Sequence, residues 1–318
     1  MNAKPLVVLT NPIHPDLLPA LEQQCEVVLA PDTRPETLAR LLAVAEGLVV
    51  RAQLAPDVFA HATKLRAVVR HGVGLDMIPV DAATAHGIPV ANLPGSNTQA
   101  VAEYCLAAML HLRRRLTQMD SVLRSDGWAA ARPISDSGTE LRGSTCGIVG
   151  VGAVGRRVAD IAAALGMNVV GFTPRPEGLP AHVKGVDKSA LLAQSDVVVL
   201  CCPLNERTRG LVDAASVALM KKDAILINVS RGPVIDVGAV LAALREGRLG
   251  GAALDVHDKQ PLTGKEPLFD APNLLLTPHV AGITGTSMRA MSEGAVATLL
   301  ALLRGERPGN VVNPQVFR

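Results

Sequence analysis

Gly147-Ile148-Val149-Gly150-Val151-Gly152-Ala153-Val154-Gly155-Arg156 is the stretch that decides how this chain is read. An apolar β-branched run leads into Gly150-x-Gly152-x-x-Gly155, and a helical pattern over 154–165 follows. At this spacing each glycine meets a separate need. Gly150 permits a tight turn, Gly152 leaves the backbone bare where a pyrophosphate approaches, and Gly155 lets helix and strand pack closely. Phosphate charge then rests at a helix N-terminus. Gly150, Gly152, Ala153, Val154 and Gly155 are therefore expected to cradle a dinucleotide.

Working outward, short β-rich runs alternate with helical patterns on both sides. Upstream, strands are expected at 6–9, 26–29, 48–50 and 67–69, with a helix over 35–45 whose Pro35-Glu36-Thr37 start suits a first turn. Downstream, strands are expected at 168–170, 196–200, 224–229, 252–256 and 274–277. Such alternation predicts two α/β units with parallel sheets covered on both faces. A long helix is expected over 97–115 and another over 284–304, the latter stopped by Gly305, Pro308 and Gly309. If the last helix packs on the first unit, that unit is discontinuous. The intervening 116–142, with Gly, Pro, Ser and the single Trp, has little periodicity and is expected to form an extended arm or linker.

The second strand of a dinucleotide unit usually ends in Asp or Glu, which binds the adenosine ribose. Here the chain reads Gly171-Phe172-Thr173-Pro174-Arg175. An acid would repel a 2′-phosphate, whereas Thr173 can hydrogen-bond to it and Arg175 can pair with it bidentately. The expectation is NADP or NAD, with NADP favoured.

Composition excludes other classes. The 318 residues are 48% hydrophobic and 19% charged, enough to bury a substantial core and about two domains' worth of chain. Lys plus Arg number 31 against 29 acids, with no basic run, and one Trp, one Tyr and four Phe leave little for base stacking. No nucleic-acid partner is expected. No stretch reaches the roughly 18 apolar residues of a membrane span, so no membrane partner is expected either. The first residues run straight into Asn11-Pro12 without a long apolar region and are expected to be a first strand, not a signal peptide. Cys25, Cys105, Cys146, Cys201 and Cys202 lack metal-ligand spacing and read as free thiols of a cytoplasmic protein. No metal is expected.

The chain also resembles the D-isomer-specific 2-hydroxyacid dehydrogenases, over nearly its whole length. The resemblance rests on Leu141-Arg-Gly-Ser-Thr-Cys-Gly-Ile-Val-Gly-Val-Gly152, Cys202-Pro-Leu-Asn-Glu-Arg-Thr-Arg-Gly210, Ile227-Asn-Val-Ser-Arg-Gly-Pro-Val-Ile-Asp236, Ala253-Leu-Asp-Val256 and Leu276-Thr-Pro-His-Val-Ala-Gly282. Arg70-His-Gly-Val-Gly-Leu-Asp76 and Asn97-Thr-Gln-Ala-Val-Ala-Glu103 look like the family's substrate loop and the start of its interdomain helix. It implies a doubly wound Rossmann domain, 99–287, inserted in a smaller flavodoxin-like α/β substrate domain formed by 1–98 and 288–318. It implies hydride transfer between a nicotinamide cofactor and C2 of a small 2-hydroxy or 2-oxo acid, and a homodimer joined through the Rossmann domain, with 97–142 exchanged between subunits.

The same resemblance implies residue roles. Arg231 would hold the substrate carboxylate and polarise the carbonyl; His279 would be the general acid of reduction and general base of oxidation. Cys202, Pro203, Thr208, Val229, Ser230, Asp255 and Gly282 would join the cofactor contacts. Where most members place a Glu beside the catalytic His, this chain has Gln260, as do the family's formate dehydrogenases. Gln260 orients the ring without adding charge, unless Asp258 supplies the carboxylate instead. Arg51, Arg70, His71 and the Gly72-Val73-Gly74 backbone would line the substrate pocket. Three potential cations there suggest a phospho-, sulfo- or hydroxy-substituted acid. Glyoxylate or hydroxypyruvate reduction and formate oxidation are alternatives within the scaffold. A non-enzymatic NAD(H)-sensing, corepressor-like protein is the alternative of another class. His257 and the remaining histidines read as structural.

Overall fold

The structure is a computed structural model that describes residues 3–317. It comprises two compact units, Met1–Asn97 with Ile283–Arg318, and Thr98–Gly282.

The first unit holds a five-stranded parallel sheet of β1 (Leu6–Leu9), β2 (Glu26–Leu29), β3 (Gly47–Val50), β4 (Ala67–Arg70) and β5 (Val90–Ala91), ordered β2-β1-β3-β4-β5. That is the flavodoxin-like order. Alternation along each strand sends Val7, Leu9, Val49 and Val69 to one core and Val8, Leu48, Val50 and Val68 to the other. The helix Gly285–Leu303 covers the first of these faces with Met291, Ala295, Leu299 and Leu302. Thr284 and Ser287 close a reciprocal capping box at its start.

The second unit holds a seven-stranded parallel sheet, ordered β12-β11-β10-β9-β6-β7-β8. Its strands are β6 (Thr145–Val149), β7 (Asn168–Phe172), β8 (Val183–Gly185), β9 (Val197–Leu200), β10 (Ile225–Asn228), β11 (Gly251–Leu254) and β12 (Leu274–Leu276). Strand order reverses between β6 and β9, which places a crevice at their carboxyl ends. Both faces are apolar: Ile148, Val199 and Ile227 point into one core, Val149, Val198 and Leu226 into the other.

One expectation fails. The stretch 116–142 is not an extended arm: it forms the helices Leu116–Asp126 and Trp128–Ala131 and a 3-10 segment, Arg132–Ser137. No residue of Leu116–Asp126 is buried, so no apolar spacing was needed to make it helical. An Asp120–Arg124 pair one turn apart, at 2.9 Å, supports it instead. Arg115, in a left-handed conformation at φ 50°, separates it from the preceding helix Thr98–Arg114. Among the described residues, no helix is long and apolar enough to cross a membrane.

Candidate active site

The glycine turn performs the steric work expected of each position. Gly150 has φ +91°, and a Cβ there would come 2.7 Å from the Cys202 backbone at the end of β9. A Cβ on Gly155 would collide with Gly150 O. Around Gly152 a Cβ would meet nothing within 4 Å, and Gly152 and Ala153 are exposed. The helix Ala153–Ala164 begins at Gly152 without a side-chain cap, which leaves its first amides facing open space. A pyrophosphate fits this cradle. Beyond β7, Thr173 is half-buried, and Arg175 is exposed with its side chain in no hydrogen bond or ion pair among the described residues.

Cys202 and Pro203 lie just past β9. The Ser230 hydroxyl donates to Cys202 O, and Thr208 Oγ1 donates to Pro203 O at 2.7 Å while accepting from Asn205 N–H at 2.8 Å. Ser230 and Thr208 thus shape the loops beside the crevice, and Val229 donates its N–H to Leu200 O at 3.4 Å.

Arg231 is the third residue after β10. Its turn is fixed by Asn228, whose Oδ1 accepts from Ser230 N–H at 3.0 Å and whose Nδ2 donates to Arg231 O at 3.0 Å. Arg231 Nη1 donates to Ser230 O at 2.7 Å. The next residue, Gly232, has no room for a side chain, because a Cβ would collide with the backbone of His257 and Asp258. The Arg231 turn and the loop after β11 are therefore in direct contact.

That loop carries Gln260. Its Nε2 donates to His257 O at 3.3 Å, which turns Oε1 toward His279, and His279 Nδ1 lies 3.0 Å from it. An amide oxygen only accepts, so Nδ1 carries a proton and proton exchange falls to Nε2. Asp258 is exposed, and the Nδ1 contact belongs to Gln260. His279 itself has φ 59°, a conformation that costs free energy for a non-glycine residue and persists where surroundings impose it. Asp255, almost fully buried, imposes it here. Its backbone carbonyl accepts from His279 N–H at 2.8 Å, and its carboxylate accepts from Thr277 Oγ1 at 2.6 Å, Val280 N–H at 2.8 Å and Ala281 N–H at 2.9 Å. Three bonds use most of the roughly four acceptor sites of a carboxylate, so Asp255 is first an anchor of the His279 turn. Gly282 ends that turn. Tyr104 extends the network through Thr277 Oγ1 at 2.7 Å, and burial pushes its phenol up to about 12. His257, read as structural, contacts Thr277 O through Nε2 at 3.0 Å.

Asn228, Thr277 and Tyr104 were not singled out from the sequence. The first two stand inside the motifs that carry Arg231 and His279, Asn228 three residues before Arg231 and Thr277 two residues before His279.

In the first unit, the expectation of three cations is corrected. Arg70 folds back on its own loop, donating to Gly74 O at 3.0 Å, Val50 O at 3.0 Å and His71 O at 2.7 Å. His71 is neutral at ordinary pH: burial, then the charges of Arg51 and Arg70, lower its pKa to about 4. Its Nε2 meets Ser292 Oγ at 2.8 Å, a hydroxyl that also accepts from His14 N–H at 2.8 Å. Gly72 N–H is spent on Arg70 O at 2.9 Å, whereas the Val73 and Gly74 amides have no partner among the described residues. Arg51 is half-buried, donates to Pro12 O at 3.2 Å, and has its pKa lowered by burial.

Among the described residues the five cysteines are free thiols, and no group of acids, histidines or cysteines is arranged to hold a metal.

Residues 106–281 match the family described as D-isomer specific 2-hydroxyacid dehydrogenase, NAD binding domain. A glyoxylate reductase of Aeropyrum pernix is 35% identical, with 99% of this chain and 98% of that protein covered. A D-3-phosphoglycerate dehydrogenase of Methanocaldococcus jannaschii is 36% identical over 96% of this chain but only 59% of its own length. Among solved structures, an NADPH-dependent glyoxylate/hydroxypyruvate reductase of Sinorhizobium meliloti, crystallised with NADP and malonate, superposes with a TM-score of 0.87. It is 28% identical, and 99% of each chain is covered.

Proposed function

The chain belongs to the D-isomer-specific 2-hydroxyacid dehydrogenases, NAD(P)-dependent enzymes acting on CH–OH donors, and from that premise we propose that it reduces a small 2-oxo acid of glyoxylate or hydroxypyruvate size. The observation that carries this reading is the His279–Gln260 contact, set against the Arg231 turn at the carboxyl ends of β10, β11 and β12.

The bound nicotinamide supplies the hydride. Arg231 binds the carboxylate through its planar fork of donors and polarises the 2-oxo group. His279, held at Nδ1 by Gln260, delivers a proton from Nε2 to the carbonyl oxygen; in oxidation the same nitrogen takes the hydroxyl proton. Asp255 keeps the imidazole in place, and its remaining acceptor site suits a carboxamide N–H. Val73 and Gly74 amides are assigned to a substrate carboxylate.

With Arg70 bound to carbonyls and His71 neutral, the case for a doubly anionic substrate narrows to Arg51. That residue favours a second reading, a phospho- or sulfo-substituted acid. For the cofactor, Thr173 and the unengaged Arg175, with no acid at the end of β7, support NADP over NAD. For assembly, the exposed Leu116, Leu123 and Trp128, the last 74% exposed, support a homodimer through the helical arm. Sedimentation equilibrium reads it directly: a monomer at micromolar concentration would refute it.

The test is nicotinamide absorbance with NADPH or NADH against glyoxylate, hydroxypyruvate, pyruvate, phosphohydroxypyruvate and sulfopyruvate, and formate with the oxidised cofactors. Preferred turnover of the two small acids supports the reading. Preference for the phospho- or sulfo-acids transfers it to Arg51, and turnover of formate alone overturns it. Cofactor binding without any turnover supports the sensor alternative.

A further inference from the structure

The loop after β7 is held by a residue outside it. Arg156, in the first turn of the helix Ala153–Ala164, sends its Nη2 to Gly178 O. Gly178 N–H in turn donates to Arg175 O at 3.4 Å. Gly178 is therefore a joint: through its two backbone groups the Arg156 side chain is tied to the backbone of Arg175. The segment between them, Pro176–Gly178, is a single 3-10 turn with no buried residue, so packing does little to fix it. Arg175 is the residue that opens this turn, and Thr173 stands between it and the end of β7.

We propose that Arg156 is a specificity-determining positioning residue for the 2′-phosphate of NADP, setting the loop that carries Thr173 and Arg175 through its bond to Gly178. The physical reason is entropic. An exposed guanidinium gains from binding a phosphate only what remains after the loop and side chain are ordered. A charge-assisted hydrogen bond from a helix to the loop carbonyl supplies that order before the phosphate arrives. A cofactor with a 2′-hydroxyl makes far less use of Arg175 and so gains little from the tie. The inference rests on the NADP reading above.

The experiment is calorimetric binding of NADPH and NADH to the full chain and to three variants, Arg156→Ala, Arg156→Lys and Arg175→Ala, with binding of 2′,5′-ADP and 5′-ADP as cofactor fragments. Arg156→Ala is expected to weaken NADPH and 2′,5′-ADP about tenfold, the loss of one charge-assisted bond. Binding of NADH and 5′-ADP is expected to stay within about twofold. Arg156→Lys, which can still reach Gly178 O, is expected to recover most of the loss. Equal weakening of both cofactors, or none, overturns the role of Arg156. If Arg175→Ala weakens NADPH selectively and Arg156→Ala does not, the cofactor reading stands and only this inference fails. If neither variant nor the unaltered chain distinguishes the phosphorylated fragments, the NADP reading fails and the inference falls with it.

Discussion

His279 Nδ1 lies 3.0 Å from the amide oxygen of Gln260, so the ring is oriented by a neutral partner. A carboxylate in that place would hold the ring equally well and would also stabilise its protonated form. Gln260→Glu is therefore expected to raise the His279 pKa. In the reducing direction the enzyme needs the protonated ring, so the loss of rate on the alkaline side should move to higher pH by about one unit. The pH dependence of kcat/KM for the best 2-oxo acid measures it; an unmoved profile would show that position 260 does not set the proton affinity.

The three glycines make separable predictions. Gly155→Ala drives a methyl into Gly150 O and should lower the thermal midpoint and abolish cofactor binding together. Gly152→Ala meets no protein atom within 4 Å on extended backbone, so the fold should keep its midpoint. The same methyl occupies the space assigned to the pyrophosphate, and NADPH affinity should drop by at least about tenfold. Thermal unfolding with and without NADPH separates the two effects.

Asp255→Asn replaces an all-acceptor group by one that presents an N–H to donors. Whichever way the amide turns, it faces the Ala281 N–H or the Val280 N–H and Thr277 hydroxyl. A loss of about 2–3 kcal/mol is expected, the scale of an unsatisfied buried group. Urea unfolding should show a lower midpoint at unchanged slope.

His71 links stability to pH. Its pKa falls from 6.5 unfolded to about 4 folded, so between these values the unfolded chain binds a proton the folded chain refuses. Stability should be flat in this respect above pH 6.5 and decline as pH falls toward about 4, by roughly 3 kcal/mol at the limit. His71→Gln should flatten that decline. Urea titrations of both proteins across this range test it, and identical pH dependence would contradict the assignment.

What could be read in the sequence depended on how local each constraint is. Gly155 answers a contact with Gly150 and Gly152 answers open space, both within the motif; Gly150 has a positive φ that calls for glycine wherever its neighbour Cys202 stands in the chain; and the alternation of Val7, Val8 and Leu9 reports two cores directly. The helix Leu116–Asp126 was hidden because it buries nothing, so its few apolar residues, Leu116, Met119 and Leu123 among them, report no core within the chain. The states of Arg70 and His71 were hidden for the opposite reason. They depend on how the chain folds back: Arg70 turns onto the carbonyls of His71, Gly74 and Val50, and His71 meets a serine 221 residues away. Spacing alone shows a basic cluster there; only the fold turns one guanidinium onto carbonyls and strips the imidazole of its charge.

The central claim is that Arg231 and His279 together run hydride transfer to a small 2-oxo acid. It is tested most directly by NADPH oxidation with glyoxylate or hydroxypyruvate in the unaltered chain and in Arg231→Lys and His279→Gln. The account predicts turnover by the unaltered chain and a loss of at least about a hundredfold in kcat for His279→Gln. Arg231→Lys should suffer a comparable loss in kcat/KM, because an ammonium cannot replace the fork. NADPH affinity should stay near its original value in both. Turnover that survives both substitutions, or tight NADPH binding with no turnover of any acid in the panel, would contradict it.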